Sequence, residues 1–390
     1  MLIRPQHRSD IGAVIRGLLN GLKHTPQTIG PVIGIEPEIL EEIIAGKTGL
    51  TDNVEKALFS VPGINQRDFY FPDVQHLFPV IDDTDNGVVV FRAQDTFKSR
   101  RMLTRGPEKI PYYVYADTAM SNTSSFRPEW IKELCVHNGD SADELPDWAF
   151  NKGHFEHQVT YFIGPVNFYW LDKNGKRHMC KMNTGDTNYI VPFVPHTFTT
   201  RRADEGLILA VTYGGAISNP EFRSRISTLS MEDYLKDVGR EIEKYADIPN
   251  QSELDGVKVQ KYDQTHCPMS VRELIYSGYQ PNTTSCELEF GGTRKISMNS
   301  LSDEWGYNVG DSDVILEWGW NDQNLKLASG DSFFIRPGIG HRFSSINLGK
   351  LLVIGIRPQE GDPYRELAII KRHAGEMGLK RVHTETTRWY

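Results

Sequence analysis

The chain has 390 residues, 39% hydrophobic and 24% charged, enough apolar material for two or more cores and too little charge for wholesale disorder. A formal net charge of −8 speaks against a dominant nucleic-acid or anionic-membrane surface, yet leaves room for a small anion in a local basic pocket. Scattered cysteines (Cys135, Cys180, Cys267, Cys286), a polar start and the absence of any apolar run near the roughly 20 residues of a membrane span lead to the expectation of a cytoplasmic protein with reduced thiols.

In chain order, residues 10–46 read as helices. Ile11, Val14, Ile15, Leu18, Leu19 and Leu22 recur at helical spacing behind Asp10, a candidate N-cap. Two shorter helices follow in "TPQTIGPVIGIEPEILEEIIAGK", a spacing compatible with a helix-turn-helix. The second carries Glu36, Glu38, Glu41 and Glu42, which phosphates would repel, so DNA binding is the weaker reading. From about residue 70 to 213 the texture turns to short strands, clearest in "QVTYFIG", "NFYWLD", "TNYIVPF" and "LILAVTY". Residues 219–247 return to helix. Strands resume near Cys286 with "DVILEWGW", "SFFIRPG" and "LLVIGIRP", and a last helix is expected over residues 364–377.

An internal repeat organises these elements. "GDTNYIVPFVPHTF" (185–198) matches "GDSFFIRPGIGHRF" (330–343) in its Gly-Asp, Ile, Pro, His and Phe, and "YFIGPVNFYW" (161–170) echoes "YNVGDSDVILEW" (307–318). This strand–Gly–strand unit followed by "GD…P…H" resembles the two motifs of the cupin barrel. The resemblance implies an α+β chain of tandem cupin (double-stranded β-helix, jelly-roll) barrels, each preceded by a mainly helical segment. The expected segments are 1–68 helical, 69–218 first barrel with the metal site, 219–284 helical, and 285–390 second, degenerate barrel with the C-terminal helix.

The stretch "NKGHFEHQVTYFIG" (151–164) supplies the candidate ligands. In a straight strand His154 and Gln158 would stand about 13 Å apart, so they meet on one ion only if the chain bends near residues 153–157. Gln158 stands where the cupin pattern has its motif-one glutamate, and His196 is the motif-two histidine. His154, Gln158 and His196 then form a three-donor site with open positions. Glu156 and His157 compete for the third position, and an inert glutamine in a degenerate barrel is the bland alternative. Two imidazoles and an amide leave the full +2 charge of a divalent ion in place, which favours a dianionic ligand. In the second half Ser300 and Glu304 fall where His154 and Gln158 would, beside His341; one histidine and one distant carboxylate read as a structural remnant.

Taken together, "NKGHFEHQVTYFIGP" and "GDTNYIVPFVPHTF" resemble the phosphonate-cleaving iron oxygenases, the family of hydroxyethylphosphonate dioxygenase and methylphosphonate synthase. The dioxygenase takes a carboxylate from a Glu-Pro that here reads Val191-Pro192; the synthase is similar but uses a His-x-x-x-Gln pair, as at His154 and Gln158. The resemblance implies Fe(II) as cofactor, 2-hydroxyethylphosphonate and O2 as partners, and oxygen-dependent C–C cleavage to methylphosphonate and CO2 or bicarbonate. The sibling outcome is hydroxymethylphosphonate and formate. By the same resemblance Lys23 is a substrate-binding and catalytic lysine, and Arg105, Tyr113 and Asn151 bind substrate. No nucleic acid or membrane partner is expected, and a homo-oligomer is. Readings from other classes are a helix-turn-helix/cupin regulator and a non-oxidative bicupin such as a sugar-phosphate isomerase.

Overall fold

The computed structural model describes residues 8–69, 82–124, 126–246, 256–262, 271–273, 283–292, 295–319, 323–357 and 361–389. Four helices open the chain, Arg8–Gly21, Pro26–Ile33, Pro37–Ile44 and Asp52–Phe59. The first begins two residues before Asp10, which therefore lies inside its first turn rather than capping it. The periodic residues Val14, Ile15, Leu18, Leu19 and Leu22 are buried with Leu40, Ile43 and Leu58 in one core, while Glu36, Glu38, Glu41 and Glu42 face solvent.

The rest is an α+β fold of the cupin type, built as two barrels of two antiparallel sheets each. The larger sheet of the first runs Val257–Gln260, Thr187–Ile190, His157–Ile163, Leu207–Tyr213, Phe126–Glu133, Ile110–Ala116 and Arg101–Arg105 in spatial order. Its smaller sheet is Arg177–Met182, Val166–Leu171 and His196–Thr200. The second barrel opposes Val88–Phe91, Ser332–Ile335, Asp303–Asn308, Gly349–Ile356, Thr283–Phe290 and Val271–Glu273 to Ile296–Met298, His341–Ser344, Val314–Trp318 and Gln323–Leu327.

The barrels exchange edge strands. Val88–Phe91, early in the chain, pairs with Ser332–Ile335 of the second barrel, and Val257–Gln260 pairs with Thr187–Ile190 of the first. The repeated Gly-Asp explains how each exchanged strand is fastened. Asp186 accepts from the Tyr262 amide at 2.6 Å, just beyond one exchanged strand, and Asp331 accepts from the Ala93 amide at 2.8 Å, just beyond the other. The segment expected to be helical over 219–284 therefore also contains strands; its residues 247–255, 263–270 and 274–282 lie outside the described ones.

One apolar core runs from inside the first barrel to the large sheet of the second, joining Phe162, Phe168 and Val211 to Trp305, Phe334 and Ile354. The last helix, Pro363–Trp389, is longer than expected and breaks at Gly375 (φ 62°). Leu379 and Val382, beyond the break, are buried with Leu367 and Ile370 against the helices Pro220–Ser227 and Met231–Ile242. That docking carries the chain's end back over the first barrel.

Candidate metal centre and its cavity

His154 precedes the strand that carries Gln158. Gly153 takes a left-handed turn (φ 68°), residues 154–156 are non-strand, and His157–Ile163 begins the sheet. The bend brings His154 Nε2 to 3.1 Å from Gln158 Oε1. His196 arrives from the opposite sheet, its ring edge-on to that of His154 with centroids 5.1 Å apart. The three side chains thus converge between the two sheets of the first barrel.

Hydrogen bonds fix which atoms face the centre. His154 Nδ1 donates to the Glu156 carbonyl at 2.8 Å and His196 Nδ1 to the Val194 carbonyl at 2.8 Å. Each ring therefore keeps a lone pair on Nε2, as a metal-ligating imidazole requires. Gln158 Nε2 donates to Thr160 Oγ1 at 2.8 Å, which turns Oε1 inward. His154 Nε2 and Gln158 Oε1 are then two acceptors with facing lone pairs and no proton between them. A cation bound by both relieves that repulsion, so the donor set fits a divalent ion. Burial lowers the pKa of both imidazoles, most strongly that of His196, and keeps them neutral.

The competitors point elsewhere. Glu156 brings its carboxylate within 3.8 Å of His154 Nδ1, the far side of the ring from Nε2. Burial pushes its carboxyl up, but His154, Arg127 and Lys23 together outweigh this and hold it low. His157 is buried the other way, hydrogen-bonded to the Tyr189 hydroxyl at 2.7 Å and to Glu366 of the last helix. Val191 lies in the apolar core and is absent from the cavity wall. Among the described residues no three of His, Cys, Asp and Glu converge on a point; the third donor here is an amide.

A cavity of about 540 Å³ opens over these side chains. Asn151 lies on its wall, with Oδ1 accepting from the amides of Gly153 and His196 (2.9 Å each) and Nδ2 donating to His196 Nε2 at 3.1 Å. Lys23 reaches the cavity of its own chain, 3.5 Å from Glu129. It ends the first helix in a left-handed conformation (φ 55°), with the His24 amide bonded back to the Leu19 carbonyl at 2.8 Å. Arg101, four residues before Arg105, caps that helix end at the carbonyls of Leu22 and Lys23. Arg105 lies on the wall, its guanidinium 4.8 and 4.9 Å from the ring centres of Tyr112 and Tyr113 and bonded to the Ala149 carbonyl. Tyr113 has its hydroxyl engaged by the backbone. Its ring lines the cavity, but its hydroxyl accepts from the Phe198 amide at 2.9 Å and lies 3.2 Å from the Phe198 carbonyl.

Sequence reasoning missed Arg127, Arg223 and Arg381, which also line the cavity. Arg127 stands in one row with Thr212 and Gln158 across three strands, a register that no local pattern reveals. Among the described residues these make, with Lys23 and Arg105, five cations against Glu129, Glu156 and Glu385, so that wall is net positive. In the second barrel the remnant is more intimate than expected. Glu304 is not distant from His341; its Oε2 lies 3.2 Å from His341 Nε2, and His341 Nδ1 faces the Ile339 carbonyl just as His196 faces Val194.

Cupin-type barrels, with imidazole and amide donors under a basic cavity, define the class. No protein-family model matches the chain. It is 31% identical to methylphosphonate synthase from Nitrosopumilus maritimus (strain SCM1), over 96% of this chain and 94% of the relative. The structure of Streptomyces albus hydroxyethylphosphonate dioxygenase, with 2-hydroxyethylphosphonate and Fe(II) bound, superposes with a TM-score of 0.60 at 26% identity, covering 93% of this chain and 95% of that one. The chain belongs to this family of iron-dependent phosphonate oxygenases, that of methylphosphonate synthase. No helix among the described residues is long and apolar enough to cross a membrane.

Proposed function

We propose that the protein converts 2-hydroxyethylphosphonate and O2 into methylphosphonate, with CO2 and water as the balancing products, at an Fe(II) held by His154, Gln158 and His196. The carrying observation is the pair of facing acceptors, His154 Nε2 and Gln158 Oε1, beneath a net-positive cavity. The iron bound in the related dioxygenase supports the choice of metal. When bound, the ion supplies the coordination sites at which substrate and dioxygen meet and react.

The chain's own residues bind, orient and shield. Two neutral imidazoles and one neutral amide leave the ion's charge to be met by the dianionic phosphonate. Arg105, braced on the rings of Tyr112 and Tyr113, offers a planar fork to phosphonate oxygens, and Lys23 a point charge. Asn151 holds a neutral donor beside the His196 nitrogen that faces the ion. Tyr113 acts first as the platform under Arg105; a direct bond from its hydroxyl to phosphonate requires release of the Phe198 carbonyl. The substrate supplies all the electrons for reduction of O2, so no co-substrate such as 2-oxoglutarate is required.

Phosphorus NMR of the anaerobically iron-loaded protein mixed with 2-hydroxyethylphosphonate and air tests this. A methylphosphonate resonance is expected. Hydroxymethylphosphonate with formate assigns the sibling reaction, which the likeness to the dioxygenase favours as second reading. Absence of oxygen-dependent consumption defeats both.

A further inference from the structure

The loops bearing His154 and His196 are laced together by their backbones. The Phe193 amide donates to the His154 carbonyl at 2.8 Å, and the Asn151 amide to the His196 carbonyl at 3.1 Å. The chains touch so closely at Gly153 that a Cβ there would sit 2.4 Å from the Phe193 carbonyl carbon. Phe193 itself is left-handed (φ 67°), a conformation that opposes a bulky side chain. The internal repeat shows what such a position ordinarily takes: in "RPGIGH" its counterpart is Gly338 (φ 78°), whose amide donates to the Ser300 carbonyl at 2.8 Å in the same way. The metal-bearing barrel thus keeps an aromatic ring where the remnant barrel keeps glycine.

That ring has a partner from the far end of the chain. Arg381, beyond the break in the last helix, lays its guanidinium 4.1 Å from the Phe193 ring centre. It also donates to the carbonyls of Lys152 at 2.8 Å and Gly153 at 3.0 Å, while Glu385 accepts from its Nε at 3.0 Å. One planar fork therefore holds both loops, by hydrogen bonds to one and by stacking on the other. The helix behind it is fixed by buried Leu379 and Val382, and nearer its start by Glu366, which bonds to His157.

We propose that Arg381 is a positioning residue of the metal centre, through which the C-terminal helix sets the separation of His154 and His196. The inference rests on the proposed His154–Gln158–His196 centre and adds to it an element from beyond the second barrel.

The test uses Co(II) alone as probe, titrated into the full-length protein and its variants by calorimetry and by visible absorption at saturating metal. Wild type is expected to bind one Co(II), and Gln158→Ala to bind it about tenfold or more weakly. Arg381→Ala is expected to bind about 10- to 100-fold more weakly, the usual effect of losing support behind a ligand, and to shift the Co(II) visible band at saturation. Arg381→Lys, able to donate but not to stack as a fork, recovers part of the affinity. A purely structural role lowers the metal-free unfolding temperature of both variants and leaves the saturated spectrum unchanged; that result overturns the proposal, as does wild-type affinity in Arg381→Ala. Wild type without Co(II), or Gln158→Ala behaving like wild type, removes the proposed centre and this inference with it.

Discussion

At the scale of single residues, substitutions of Gln158 test metal binding and substrate charge separately. Replacement by Ala removes an oxygen donor and is expected to weaken divalent-metal binding by about tenfold or more, read by calorimetry. Gln158→Glu keeps the donor and adds a negative charge. Metal affinity is then retained, while affinity of the metal-loaded, oxygen-free protein for 2-hydroxyethylphosphonate falls at least about tenfold, because the dianion no longer meets a full +2 centre. Lys23 offers a cleaner separation still. Its left-handed backbone suits glycine, so Lys23→Gly is expected to raise stability by about 1 kcal/mol in denaturant titration while turnover of 2-hydroxyethylphosphonate drops. Equal losses of stability and activity would show that Lys23 matters only to the helix end. The convergence of His154, Gln158 and His196 was legible in sequence because motif order survives in "HFEHQ" and "VPFVPH". Gln158 was also preferred to Glu156 there, but the side of the His154 ring that the Glu156 carboxylate approaches was not legible, because it follows from the backbone bend.

At the scale of elements, the two halves show how one motif serves different ends. Gly-Asp and His recur because Asp186 and Asp331 each fasten an exchanged strand and His196 and His341 each face a backbone carbonyl two residues back. Such local constraints leave a readable repeat. The expected distance of Glu304 from His341 failed because side-chain approach across two sheets is set by barrel closure, not by spacing along the chain. Burial raises Glu304 from the ordinary carboxyl value of 4.5 to about 7 against a hydrogen bond from Ser300. The folded state then holds this proton more tightly than the unfolded one, and stability falls as pH rises from about 4.5 to 7. Glu304→Gln is expected to match wild type below that window and to exceed it above pH 7 by up to about 3 kcal/mol, measured as unfolding free energy against pH. A gap that does not change with pH would contradict a protonated, buried Glu304. The exchanged strands Val88–Phe91 and Val257–Gln260 were hidden for a related reason: a four-residue strand pairing far from its sequence neighbours leaves almost no local signature.

At the scale of the whole molecule, the exchange makes two barrels one cooperative unit. Neither barrel completes its large sheet without a strand from the other half, and one apolar core spans both. Unfolding by urea is expected to follow a single transition, with fluorescence and circular dichroism coincident. A fragment of residues 69–218, lacking Val257–Gln260 and the helix that carries Arg381, is expected not to bind metal. Two separated transitions, or a metal-binding fragment, would contradict this coupling. Crystals of the protein grown without oxygen and loaded with Fe(II), measured by anomalous scattering at the iron edge, decide which atoms hold the metal. One iron is expected in the first barrel, bonded to Nε2 of His154, Nε2 of His196 and Oε1 of Gln158. Iron held by the Glu156 carboxylate with Gln158 turned away, or a first barrel without iron, would contradict it.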